Sequence, residues 1–289
     1  MNERYSPNSG ENKPQDQISR EVSEYFIEKQ VFKKNVGRDA FNQRLQELAE
    51  GRTVPVVIFN CLDFGWVENG NNYPMSSILS DTSTSICVFF EDRIIEAIDK
   101  LQEVGKPDLR IIVPDSELFD TRPFAFAQSL EERKALADRV SEILPQQFPT
   151  LTGNFGNRVC LWSQYCRDYG LQSPFAYTTD AYELISSNPE LENAVRKQVK
   201  DSKNYLIKNG LSLLAVLQIP EDELFERVKW YCAMYIGEGR ALADSGAIVL
   251  NFEDGRIPKW FQRGANEQLT ILTPADPNKF YEWRSNQKK

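Results

Sequence analysis

Apolar runs and amphipathic stretches alternate along the middle of the chain, and their order predicts strands separated by helices. The run VPVVIF (54–59) is apolar and rich in β-branched residues, which is typical of a strand buried on both faces. ICVFF (86–90) and DLRIIVPD (108–115) predict two further strands, and EDRIIEAIDKLQEVG (91–105) predicts a helix between them. Because strand, helix, strand order favours parallel pairing, we expect an α/β protein with a parallel sheet and helices on both faces.

The flanking segments extend this pattern in both directions. Residues 1–18 are rich in Asn, Pro, Gln and Ser and predict a disordered tail, and 19–289 then form a single Rossmann-like domain. Predicted within that domain are helices at 19–34 and 38–51, a helix opened by a capping box at 129 and running to 144, a strand at 158–165, a helix from 188, a long helix from 220 to 245, and short strands at 247–251 and 268–274.

The composition restricts the chemistry, because the 289 residues include no histidine. Ser-His-Asp and Cys-His hydrolysis, histidine-ligated metals and the HIGH motif of class I aminoacyl-tRNA synthetases are therefore excluded. The chain also contains neither a G-x-x-x-x-G-K-[ST] loop nor a G-x-G-x-x-G loop, the usual cradles for nucleotide phosphates. We therefore expect no metal and no cofactor.

The net charge bears on nucleic-acid binding, and the cysteines indicate the compartment. With 34 basic and 42 acidic residues the formal net charge is −8, which argues against broad nucleic-acid coating but allows a single basic patch. The five cysteines are scattered without metal spacing, as expected of free thiols in a reducing compartment. The amino terminus is polar and no apolar run approaches about 18 residues, so we expect a cytoplasmic protein without a signal sequence or membrane span. The sequence does not indicate an oligomeric state.

Polar side chains follow two of the predicted strands, where an open parallel sheet binds its ligands. Asn60, Cys61 and Asp63 follow the first strand, and Asp115 and Glu117 follow the strand that begins at 108. Cys61 is either a small buried hydrophobe or a nucleophile, since a thiol is nucleophilic even without a base beside it. The two acids are either turn and capping residues or ligands of a substrate.

The predicted long helix carries a single stripe of residues spaced 4, 3, 4, 3 and 4 apart: Leu224, Val228, Tyr231, Tyr235, Glu238 and Leu242. Glu238 therefore lies on an apolar face, where desolvation would raise its pKa toward the range useful for proton exchange. Gly237 and Gly239 flank it, each costing about 1 kcal/mol relative to alanine, so we expect something to approach this backbone closely. The alternative interpretation is a buried ion pair with Arg240.

Two further segments have alternative interpretations. The helix from 188 carries a basic segment, Arg196, Lys197, Lys200, Lys203 and Lys208, interleaved with Glu192 and Asp201. It is either a solvated face or a contact for the phosphates of a tRNA acceptor stem. Trp260 and Phe261, between the closing strands, either cover a site as a lid or pack at an edge.

Over roughly 54–274 the chain resembles the tRNA-dependent cyclodipeptide synthases. The resemblance is carried, in this order, by VPVVIFNCLDFGW, DLRIIVPDSELFDTRPFAFAQSLEERKALADRV, RVCLWSQYCRDY, NPELENAVRKQV and a late helix with Tyr and Glu. The resemblance implies a class I aminoacyl-tRNA synthetase-like catalytic domain without an ATP motif. It also implies a ping-pong reaction, in which a residue after the first strand takes an aminoacyl group from one tRNA. Tyr and Glu of the late helix hold its amino group and move protons, a second aminoacyl-tRNA supplies the partner, and cyclisation releases a diketopiperazine.

The chain departs from the family pattern at two places. Asn60-Cys61 replaces the nucleophilic serine, so the acyl-enzyme is a thioester on Cys61, or the nucleophile is Ser76 or Ser77. Tyr-x-x-x-Glu becomes Tyr235-x-x-Glu238, with Tyr231 two turns before the acid. These departures, with acidic loops suited to a guanidinium group, are more similar to the fungal arginine-containing branch and imply a cyclo-Arg-Xaa product. The resemblance thus implies catalytic Glu238, Tyr235, Tyr231 and Cys61; substrate-binding Asn60, Asp63, Asp115, Glu117 and Trp260; and tRNA-binding Arg196, Lys197, Lys200 and Lys203, with aminoacyl-tRNAs as the partners.

Two other functions fit the same sequence. One is a small-molecule Rossmann enzyme of amino-acid metabolism, such as an isocyanide synthase, which would need a metal or sugar cosubstrate and no tRNA. The other is a non-catalytic Rossmann-like binding module whose Glu238 stripe is an interaction surface. An exposed Glu238 paired with a second subunit would favour the binding module.

Overall fold

A computed structural model describes residues 14–28, 32–36, 38–59, 91–113, 142, 149–199, 219–250, 259–265 and 268–274. The predicted strand at 86–90 lies outside these ranges, as does the predicted helix at 129–144 except for its residue 142, which is helical.

Six strands form one sheet in the described part of the chain: β1 (Phe32–Val36), β2 (Val54–Phe59), β3 (Pro107–Val113), β4 (Val159–Leu161), β5 (Ile248–Leu250) and β6 (Thr270–Pro274). Their order is β1-β6-β5-β2-β3-β4, and β2 to β6 are all parallel. The parallel prediction is confirmed for these five strands. It is wrong at the edge, where β1 pairs with β6 in the antiparallel sense.

The five parallel strands have the order of a doubly wound sheet. Numbered along the chain from β2, they lie in the order 3-2-1-4-5, so the direction of winding reverses between β2 and β5. These two strands pair from Val56 with Ile248 to Ile58 with Leu250. Ligands of open α/β sheets bind outside the carboxyl ends of the strands at such a reversal. The fold therefore predicts a ligand site at the carboxyl ends of β2 and β5.

Nine helices accompany the sheet in the described ranges: α1 (Gln15–Glu28), α2 (Arg38–Ala49), α3 (Glu91–Gln102), α4 (Pro149–Phe155), α5 (Trp162–Asp168), α6 (Pro174–Ser187), α7 (Pro189–Arg196), α8 (Glu221–Asp244) and α9 (Lys259–Gly264). The predicted helices that begin at 38, 91 and 220 are confirmed, the last as one uninterrupted helix of 24 residues. The helix predicted from 188 starts as expected, but it ends at Arg196 and does not continue through the basic segment, since Lys197 is its C-cap.

Two predicted segments are corrected near the amino terminus and at β4. The helix predicted at 19–34 begins at Gln15 and gives way to β1, so residues 15–18 are not part of a disordered tail. Pairing of β1, the edge strand, with β6 outweighs the helical pattern of its sequence. The strand predicted at 158–165 ends at Leu161, because Trp162, Tyr165 and Cys166 have helical spacing and are buried together in α5.

Alternate residues of the strands enter different layers, so the predicted helices on both faces are confirmed. Val56 and Ile58 of β2 pack in a cluster with residues of α1, α2 and α3. Val57 points the other way, into a cluster with residues of α5, α6 and α8. This alternation is the period of two that β geometry imposes, and here both faces are buried.

A third hydrophobic cluster contains no strand residue and lies among the helices. It joins α6, α7, α8 and α9 through residues such as Ile185, Val195 and Ile236. The last turns of α8, at Ala241–Ala243, belong instead to the cluster against the sheet. The long helix α8 thus links the sheet to this helical layer, and Glu238 lies where the two clusters meet.

Candidate functional site

The position of Glu238 along α8 follows from the turn at the end of that helix. Gly246, with φ of 72°, reverses the chain between Asp244 and β5. Glu238 is six residues back from Asp244, about 9 Å along the helix axis. A Cβ at the neighbouring Gly239 would lie 3.4 Å from Cδ2 of Leu269, the residue before β6, so this turn of α8 contacts the amino end of that strand.

Four of the six residues of the predicted stripe on α8 are buried, but burial extends beyond the stripe to residues such as Cys232 and Ala233. Glu238 is 6% exposed, and the leucines and valine of the stripe are also buried. Tyr231 and Tyr235 are half-buried, and their rings lie 4.8 Å apart between centroids. The structure thus brings together three of the four residues assigned to catalysis, with a carboxylate one turn beyond a pair of phenols.

The two glycines beside Glu238 are contact points for neighbouring elements. A Cβ at Gly237 would lie 2.8 Å from the carbonyl carbon of Tyr177 and 2.9 Å from the amide nitrogen of Thr178, both backbone atoms of α6. A Cβ at Gly239 would lie 2.8 Å from Cζ of Phe261. The predicted close approach is confirmed, and what approaches is the protein itself.

Helix α9 packs across the same segment of α8. The Trp260 ring meets the Tyr235 ring edge to face, with centroids 6.4 Å apart and an interplanar angle of 84°. A Cβ at Gly264 would lie 2.5 Å from Cδ1 of Ile236. Trp260 is 6% exposed and belongs to the helical cluster, so its ring packs in the core and does not form a lid. A substrate contact of Trp260 stays a prediction.

Arg240, the partner required by the ion-pair interpretation of Glu238, is half-buried and close to α6. Burial and a 2.8 Å hydrogen bond to Asp244 raise the pKa of the Tyr177 hydroxyl, and the charge of Arg240 opposes that rise. The charge of Arg240 therefore acts on the Tyr177 hydroxyl, which donates to Asp244 in the last turn of α8.

Of the basic segment, the structure describes Arg196 and Lys197, and Arg196 already has partners within the chain. The Arg196 guanidinium pairs with Glu192 at 2.8 Å and lies 3.8 Å from the centroid of the Phe225 ring. Lys197 is exposed at the carboxyl end of α7. These contacts are those of a solvated face, and the contact with tRNA stays a prediction.

Several predicted site residues lie outside the described ranges: Asn60, Cys61, Asp63, Ser76, Ser77, Asp115, Glu117, Lys200 and Lys203. In the sequence, the first three come directly after β2 and the two acids come directly after β3. Their proposed roles therefore rest on sequence alone.

Lys229 is a buried cation that the sequence patterns did not identify. Lys229 of α8 is 7% exposed, and its Nζ lies 4.2 Å from the Tyr182 ring centroid and 5.9 Å from that of Phe225. Its Nζ is also 3.9 Å from a carboxylate oxygen of Glu226. The spacing to Phe225 and Glu226, four and three residues earlier, is the signal that could have identified this cluster.

The described cysteines are structural. Cys160, Cys166 and Cys232 are free and buried, as the sequence predicts for thiols in a reducing compartment. Burial raises the pKa of the Cys160 thiol to about 11, against the opposing charge of Arg110. Since the thiolate is the nucleophilic form, Cys160 is inert at neutral pH.

The described residues contain neither a membrane-spanning helix nor a metal-binding cluster. Within those ranges no helix is long and apolar enough to cross a membrane. The same part of the chain holds no group of three or more acidic or cysteine side chains arranged to bind a metal ion.

The sheet order and the two helical layers define an α/β protein with a doubly wound parallel sheet, whose candidate site is built on α8. Comparison of the chain with protein-family models, with curated proteins and with solved structures finds no match.

Proposed function

We propose that the chain is an aminoacyltransferase that joins two aminoacyl groups, delivered on tRNA, into a cyclic dipeptide containing arginine. The observation that carries the proposal is the burial of Glu238 on α8, one turn from Tyr235 and two turns from Tyr231. The doubly wound sheet order supports the finer proposal of a class I synthetase-like domain, since such a domain binds its substrate at the carboxyl ends of the strands.

The proposed role of Glu238 is proton transfer at an amino group. An α-amino group has a pKa of about 7.7–8.0 and must lose a proton before it attacks an ester. A carboxylate within hydrogen-bond reach accepts that proton, and phenol hydroxyls beside it can orient the amine. Because the chain has no histidine, a carboxylate and phenols are the groups left for this task.

The proposed nucleophile is Cys61, two residues after β2 in the sequence. In the first transfer its sulfur attacks the ester carbonyl of an aminoacyl-tRNA. A C–S bond forms as the C–O bond to the tRNA breaks, and the thiol proton ends on the departing 3′ oxygen or on a base. The result is a thioester, which keeps the acyl group activated for the second aminoacyl group.

Burial of Glu238 also bears on the alternatives. The binding-module interpretation expects an exposed Glu238 paired with a second subunit, whereas this side chain is almost fully covered within one chain. A tRNA-independent small-molecule enzyme fits the same fold, because architecture alone does not determine chemistry. Dependence on tRNA is therefore the property to test.

The test is production of diketopiperazines by the purified protein supplied with tRNA, amino acids and the matching synthetases. Mass spectrometry should detect a new cyclic dipeptide, and treatment with RNase should abolish it. Glu238→Gln preserves shape and should fold normally while losing at least about 100-fold in rate, the contribution of a general base. Glu221→Gln, an exposed acid at the start of the same helix, is the matched control and should keep full activity. Product that survives RNase, or an active Glu238→Gln, would refute the proposal.

A further inference from the structure

We propose that Trp260, held by Gln198, is a positioning residue that fixes the Tyr235 ring for the reaction at Glu238. The inference rests on the proposed function and deepens it, and it gives Trp260 a role different from direct binding of substrate.

Helix α9 contacts α8 at residues before and after Glu238 along the chain. Trp260 meets Tyr235, three residues before the acid, and Phe261 meets Gly239, the residue after it. Gly264 of the same helix lies against Ile236. One short helix thus contacts three positions within a single turn and a half of α8. A site residue supported in this way is held in one orientation by its neighbours.

The Trp260 indole needs a polar partner, because it is buried in the helical cluster. Its Nε1–H donates to Oε1 of Gln198 at 3.3 Å. Three contacts therefore fix the ring: this hydrogen bond and the edge-to-face contacts with Tyr235 and Phe261. Loss of the acceptor leaves a buried N–H unpaired, which favours rotation of the indole and releases its contact with Tyr235.

Gln198 also ties this arrangement to the end of α7. It follows directly after Arg196 and Lys197, two of the residues assigned to tRNA. The chain of contacts therefore runs from α7 through Gln198 and Trp260 to Tyr235. Gln198 and Trp260 thus act on the rate of the chemical step and not on the affinity for tRNA.

The test compares two substitutions of similar size at Gln198. Gln198→Glu retains an oxygen that accepts from Nε1 and should stay within about twofold of the parent, whereas Gln198→Met removes the acceptor. Because misplacement by about 1 Å can cost about 100-fold in rate, we expect Gln198→Met and Trp260→Phe to lower kcat by about 10- to 100-fold. KM for aminoacyl-tRNA should change by less than about twofold. Trp162→Phe, at a buried tryptophan of α5 outside this cluster, controls for general loss of packing.

The outcomes separate the two proposals. If the parent protein makes no cyclic dipeptide, the proposed function fails and the role of Trp260 fails with it. If the parent is active and Gln198→Met is equally active, the positioning role fails while the proposed function stands. A rise in KM at constant kcat would make Trp260 a substrate contact and overturn the inference. So would an equal loss of kcat in Trp162→Phe, since that is a structural effect.

Discussion

Gly237→Ala tests the packing of α6 against α8 with a single methyl group. The new Cβ would lie 2.8–2.9 Å from three backbone atoms of Tyr177 and Thr178, none of which can move away as a side chain can. Alanine is the better helix former by about 1 kcal/mol, but overpacking of a core costs about 1–3 kcal/mol and the backbone contact places this site at the upper end. We therefore expect a net loss of about 1–2 kcal/mol. For a chain of this size that is a fall in Tm of about 2–8 °C.

The assay is thermal unfolding followed by circular dichroism, with Gly153→Ala as the matched control. Gly153 also lies in a helix, α4, but nothing is within 4 Å of the position of its Cβ. Helix propensity then acts alone, and Gly153→Ala should be neutral or more stable by up to about 1 kcal/mol. Equal or higher stability of Gly237→Ala would show that α6 does not approach α8 as closely as described. The reasoning about Gly237 would then be wrong.

Two other predictions concern stability. The pKa of Cys160 is raised to about 11, so its share of the free energy of unfolding is intact below about pH 9 and falls between pH 9 and 11, at up to about 1.4 kcal/mol per pH unit. Urea titrations across this range should show a shallower fall for Cys160→Ala than for the parent, and parallel slopes would contradict the burial of this thiol. Lys229→Met keeps the apolar stem and loses the charge over Tyr182, which should cost at most about 1–2 kcal/mol. Lys229→Ala also loses the stem and should cost about 2–4 kcal/mol, so equal losses in the same titration would mean that the stem contributes nothing.

The elements that the sequence predicts well are those whose side-chain period is unambiguous. VPVVIF is apolar on both sides and became β2, buried on both faces, and the 4, 3, 4, 3, 4 stripe lies on one continuous helix, α8, whose burial extends beyond the stripe. The strand β1 was missed because its pairing partner, β6, is more than 230 residues away along the chain. No local pattern reports a partner at that distance. At 158–165 the apolar residues of a short strand and of the helix after it run together, so their boundary could not be placed.

The candidate site was predictable only in part, for a related reason. Spacing along one helix placed Glu238 with Tyr231 and Tyr235, and the structure keeps them on one face. The contacts of Gln198 and Lys229 depend on how α6, α7 and α9 pack around α8, which no period within a single helix determines. A glycine in a helix interior signals that something approaches, but it does not identify what does so.

The arrangement around Glu238 explains why a central helix carries two glycines in its interior. Each glycine lowers the intrinsic stability of α8 by about 1 kcal/mol, so the sequence Gly-Glu-Gly is unfavourable for an isolated helix. In the folded chain the missing side chains allow α6 to approach at Gly237 and Phe261 at Gly239. The backbone on either side of Glu238 is therefore held by two different elements. Under the proposed function, this packing would also fix the position of the carboxylate that meets the amino group. The glycines thus connect the packing of the helical layer to the proton transfer proposed for Glu238.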